Sequence, residues 1–173
     1  MAKLFNFLLF QAGWFACVLG AAHNLDLWAV SAVFLYLGIF IARSTFPMFE
    51  LKLVLKVLIY GVITDSLISY LGLMQLGDAW PAPYLSPLWM WALWALFASM
   101  LNSSLSWMRD RPVLGAVLGG IFGPLSYEAG IRMGAGSWGP DSQISGLIVL
   151  GIVWAVAMPL FFYWAKKPVE RGL

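Results

Sequence analysis

Six apolar runs, at 4–19, 27–41, 51–73, 87–107, 112–130 and 144–164, fill most of this 173-residue chain, and the polar gaps between them are sharply asymmetric in charge. With the gaps numbered alternately inside and outside, nine of the ten Lys and Arg residues fall inside. These are Lys3, Arg43, Lys52, Lys56, Arg109, Arg111, Lys166, Lys167 and Arg171, and Arg132 alone falls outside. Short cytoplasmic loops of membrane proteins carry this excess of Lys and Arg. The pattern predicts an all-α polytopic membrane protein, a six-transmembrane-helix bundle with N- and C-termini cytoplasmic. It forms a single transmembrane domain over 1–173, with helices at about 4–22, 25–42, 51–73, 87–107, 112–131 and 144–165.

Composition agrees. The chain is 62% hydrophobic and 10% charged, with mean hydropathy +0.85, where a soluble domain carries about 25% charge. Six spans of roughly 17–25 residues use nearly all of it. Chemistry must therefore sit within the bundle or at its rim. The net charge of +2 reflects the cytoplasmic excess, so no nucleic-acid partner is expected. The single Cys17 and single His23 cannot supply a zinc ligand set, so neither metal nor cofactor is expected. Lys3, the first apolar run and Leu19-Gly20-Ala21-Ala22 imitate a signal peptide. Gln11 and Trp14 interrupt that run, which reads instead as a retained first helix.

Between the runs, Pro47 is expected to stop helix 2, and 48–56 to approach helix 3 along the interface, with Lys52 and Lys56 snorkelling. Trp80, Trp89 and Trp91 read as an outer aromatic belt, Trp107 and Trp164 as an inner one. Gly115, Gly119 and Gly123 recur every four residues with Tyr127 on the same stripe, a pattern that lets helix backbones approach closely. Spacing alone leaves open whether that stripe meets a helix of this chain or of a second copy.

Asp65 is the sharpest single residue, because a carboxylate at membrane depth is costly unless it faces the interior and finds a partner. Glu128 and Arg132, four residues apart, can pair. With odd-numbered helices ending outside, His23, Asn24, Asp65, Tyr127, Glu128 and Arg132 are all expected toward one membrane face. His23, Asp65 and Glu128 are the catalytic candidates, and Asn24, Asp65, Tyr127, Glu128 and Arg132 the ligand-binding ones. Gln11, Ser99 and Asn102 are candidates for a polar lining, with Ser99, Asn102, Ser103 and Ser106 on one face of helix 4. No phosphate loop, nucleophile elbow or Cys-x-x-Cys motif is present.

The opening stretch from Asn6 to Gly20, together with Asp65, Pro87-Leu88-Trp89-Met90-Trp91, Tyr127-Glu128-Ala129-Gly130 and Gly134-Ala135, resembles a family of small bacterial inner-membrane proteins, domain of unknown function 2878. The resemblance implies a bacterial source and the cytoplasmic membrane. It also implies genes near those of lipid-modifying enzymes, but no activity. Three functions stay open. One is a protein with a periplasm-facing polar pocket that handles a lipid or other apolar ligand, accessory to membrane-lipid modification. The second is a small membrane enzyme using His23 with Asp65 or Glu128 as acid and base. The third is a proton-coupled transporter using Asp65. The expected partners are membrane lipid, an apolar small molecule, and either a lipid-modifying enzyme or a second copy of the chain.

Overall fold

A computed structural model describes residues 2–77 and 80–166; Asp78, Lys167 and Arg171 lie outside the described residues. The described residues form six α-helices: α1 (Ala2–Ala22), α2 (Asp26–Ala42), α3 (Pro47–Tyr70), α4 (Leu88–Leu101), α5 (Pro112–Arg132) and α6 (Gln143–Ala165). Two dipeptide strands, β1 (Met74–Gln75) and β2 (Ser137–Trp138), pair antiparallel and tie the α3–α4 connection to the α5–α6 connection. The α1–α2 turn lies at this same sheet end, where Ala22 stands beside Gly134. The α2–α3 turn, the start of α1 and the α4–α5 connection gather at the far end.

α4 is the hub. It packs against α1, α2, α3 and α6, and 11 of its 14 residues are buried, as expected of a helix apolar on every side. α5 leans mainly on α6, and the glycine stripe is the reason. Gly115, Gly119 and Gly123 face Phe162, Met158 and Trp154 of α6, and a Cβ at Gly119 would lie 2.7 Å from the Trp154 carbonyl oxygen. The stripe is therefore used within the chain. The opposite faces of these helices are exposed and apolar, with Ile144, Ile148, Ile152 and Val156 on α6 and Val113, Val117, Ile121 and Leu125 on α5.

Lys3–Ala22, Pro112–Arg132 and Gln143–Ala165 are long and apolar enough to cross a membrane, while α2 and α4 are apolar but only 17 and 14 residues long. Three boundaries differ from the sequence expectation by three residues or more. Pro47 does not only end α2; it opens α3 from its first turn, where its missing N–H costs nothing. α3 then closes at Tyr70, with Gly72 at φ +71 in the turn that follows. α4 stops at Leu101 rather than near 107, so Asn102, Ser103 and Ser106 do not continue the Ser99 face. Beyond Leu101 the chain turns, then forms a short 3-10 segment, Ser106–Met108. Short polar side chains favour such turns by bonding nearby backbone, as Ser106 Oγ does in donating to the Ser103 carbonyl at 2.8 Å.

Candidate functional site

Asp65 lies on the buried side of α3 and is 1% exposed. One turn earlier is Gly61, where a Cβ would intrude into the Trp94 indole. The glycine thus leaves a slot through which Trp94 of α4 reaches the carboxylate. α5 repeats the device: a Cβ at Gly123 would intrude into the Trp154 ring, and one turn later Tyr127 points inward. The two tryptophans stack, with ring centroids 4.7 Å apart and planes at 12°. Trp94 Nε1 donates to Asp65 Oδ2 at 2.7 Å, and the Tyr127 hydroxyl donates to Asp65 Oδ1 at 2.7 Å. Among the described residues Asp65 makes no ion pair. Its two donors supply the partners that burial of a carboxylate demands, and they knit α3, α4 and α5 together.

Trp94, Tyr127 and Trp154 also form part of the wall of a cleft of about 680 Å³ between α1, α4, α5 and α6. Phe10, Phe97 and Trp154 continue the aromatic wall in edge-to-face contacts with centroids 6.0 and 5.1 Å apart. Leu105 and Met108 line the far end of the cleft, Leu76 and Ala135 the sheet end. Phe7 and Phe15 of α1, with Phe122 and Leu125 of α5, are lining residues that are also exposed, so the cleft opens sideways between α1 and α5. The polar side chains among its lining are few. Tyr127 is committed to Asp65, Ser126 Oγ donates to the Gly123 carbonyl at 2.6 Å, and among the described residues neither the Gln11 carboxamide nor the buried Trp154 Nε1 has a hydrogen-bond partner.

The other candidates fall into separate groups. Glu128 anchors a knot at the sheet end. It accepts from Arg132 Nε at 2.6 Å, from Trp138 Nε1 at 2.8 Å and from Gln143 Nε2 at 3.2 Å, so it fastens β2 and the start of α6 to α5. His23 and Asn24 are exposed on the α1–α2 turn, Asn24 with φ +58, and neither bonds to Asp65 or Glu128. Neither of the two principal cavities is lined by His23, Asn24, Asp65, Glu128 or Arg132.

Gln11, Ser99 and Asn102 do not form one path either. Gln11 lines the aromatic cleft, whereas Ser99 and Asn102 belong to a network at the far end. There Asn6 Nδ2 donates to the Tyr36 hydroxyl at 3.2 Å and to Ser99 Oγ at 3.4 Å, and Ser104 Oγ donates to Asn6 Oδ1 at 2.8 Å. Asn102 Nδ2 donates to buried Glu50 at 3.4 Å and its Oδ1 accepts from Arg109 at 3.4 Å. Part of this network lines a second, smaller cavity of about 440 Å³. Sequence reasoning passed over Trp94, Trp154 and Glu50. For the tryptophans the available signal was a glycine one turn before Asp65 and another one turn before Tyr127.

These features define an all-helical protein with membrane-length apolar helices, a buried carboxylate held by an indole and a phenol, and a lateral aromatic cleft. The chain matches the family described as "Protein of unknown function (DUF2878)" over residues 3–160 and belongs to that family. Neither the curated proteins nor the solved structures contain a match to it.

Proposed function

We propose that this protein is a bacterial inner-membrane protein of six spans with both termini cytoplasmic, and that it binds the acyl chain of a lipid, or a ligand of like shape, in the cleft between α1 and α5. The membrane reading is supported by the charge asymmetry and by the exposed Ile and Val stripes on α5 and α6, which hydrocarbon would cover. The lipid reading is carried by the cleft. Its volume is within the roughly 300–1,000 Å³ of ligand pockets. Along α1 it runs from Phe7 to Val18, about 16 Å at 1.5 Å per residue. That stretch is centred on α1 and matches in length, though not in depth, the ~15 Å that one leaflet contributes to a ~30 Å hydrocarbon core. An acyl chain can enter sideways without crossing water.

In this reading Asp65 is not a group in an open polar pocket. It fixes Tyr127 and Trp94, and through them one wall of the cleft. An acid–base role for His23 with Asp65 draws less support, since the imidazole is exposed on a turn and the carboxylate is sealed. Accessory action in membrane-lipid modification fits a protein that presents an acyl chain.

The test is tryptophan fluorescence in bilayers of phospholipid brominated along the acyl chain. Trp14, Trp89, Trp94 and Trp154 line the cleft, so wild type should be quenched more than Gly130→Leu, which fills it. A Cβ at Gly130 meets only Val18, at an ordinary 3.8 Å, so the new side chain starts from open space in the cleft, and thermal unfolding checks that the variant keeps its fold. Equal quenching of a folded Gly130→Leu would refute lipid occupancy.

A further inference from the structure

The acyl-chain reading leaves Gln11 unexplained. Its carboxamide lines the cleft and makes no hydrogen bond among the described residues, whereas Tyr127, Ser126 and Trp94 are engaged; the buried Trp154 Nε1 beside the Asp65 cluster is a second lining group without a hydrogen-bond partner. Gln11 is near the middle of α1, about 13 Å from one end and 16 Å from the other at 1.5 Å per residue. That is mid-depth in a ~30 Å core, where water is scarce and an unpaired amide is costly. Phospholipid esters and headgroups lie at the interface and cannot reach it.

Much of the cleft's wall is aromatic. Phe10 and Trp14 lie within one turn of Gln11 on α1, and Phe97, Trp94 and Trp154 stand in the same cleft. Flat π surfaces favour offset-stacked or edge-to-face partners. A plain acyl chain uses neither this geometry nor the amide.

Resting on the reading that the cleft takes an apolar ligand, the geometry points to a more specific occupant: a membrane-soluble quinone or quinol, its oxygenated ring at Gln11 between the aromatic side chains and its hydrocarbon tail along the remainder of the cleft. The amide suits both redox forms. Gln11 Nε2 donates to a ring carbonyl of the quinone, and Gln11 Oε1 accepts from a ring hydroxyl of the quinol. This is a binding site, and no electron transfer is assigned to it.

The experiment titrates purified protein in mild detergent with a decyl-substituted benzoquinone and follows saturable quenching of tryptophan fluorescence. Wild type should bind saturably. Gln11→Met, which keeps the length and removes the amide, should bind about three- to tenfold more weakly, the loss of one hydrogen bond at this depth. The same variant should be quenched like wild type by the acyl-brominated phospholipid. Unchanged quinone affinity in Gln11→Met overturns the inference. So does a wild type that is quenched by brominated lipid but binds no quinone, and there the acyl-chain reading survives. A protein that admits neither probe overturns both.

Discussion

Replacing Gly119 with Ala perturbs one helix contact by a single methyl group. The new Cβ would meet the Met158 side chain, which can swing aside, and the Trp154 carbonyl oxygen at 2.7 Å, which cannot. To reach the 3.4 Å of ordinary contact, α5 and α6 must part by about 0.7 Å along a tightly packed seam. Overpacking of this kind costs about 1–3 kcal/mol, while the exchange of Gly for Ala in a helix returns about 1 kcal/mol. Gly38 of α2 isolates the packing cost, because a Cβ there meets nothing within 4 Å and Gly38→Ala takes only the helix gain. Unfolding in mixed micelles of increasing denaturing detergent should therefore find Gly119→Ala less stable than Gly38→Ala by about 1–3 kcal/mol. Equal stability of the two variants would refute the account of the α5–α6 seam.

At Asp65, Asn can still accept from Trp94 and donate to the Tyr127 oxygen, whereas Leu leaves both donors buried without an acceptor, at about 1–3 kcal/mol each. Thermal unfolding should rank wild type, Asp65→Asn and Asp65→Leu in falling stability, and an Asp65→Leu protein as stable as Asp65→Asn would contradict the network. For topology, single cysteines introduced at Ala82 and at the exposed Met133 (after removal of Cys17) should react with a membrane-impermeant reagent added to cells. Those at Arg109 and Lys166 should react only after lysis, and the reverse result at Met133 would invert the orientation.

The helices were legible because most of the apolar runs are bounded at one end or both by charge or proline, and long apolar runs of this kind favour helices. The end of α4 was not, since Asn102, Ser103 and Ser106 have the spacing of a helical face and only their local bonding shows that they turn. The meeting of Asp65 with Tyr127 follows from two helices that finish at the same end of the bundle. The stacked Trp94 and Trp154 depend on glycine gaps in other helices, Gly61 and Gly123, a match of shapes across space that single-helix periodicity does not encode. His23 and Asn24 share that end of the molecule, but a common end does not bring side chains within bonding distance. In the sequence Gln11 is both an interruption of an apolar run and a candidate for a polar lining; which cleft it lines depends on α1 standing apart from α5.

Occupancy of the cleft is most directly read by native mass spectrometry of the protein released from its own membranes in a mild detergent. The account predicts a folded wild type carrying a bound apolar molecule, and a folded Gly130→Leu protein that has lost it. A folded wild type that emerges bare, or a Gly130→Leu variant that retains the same adduct, would contradict it.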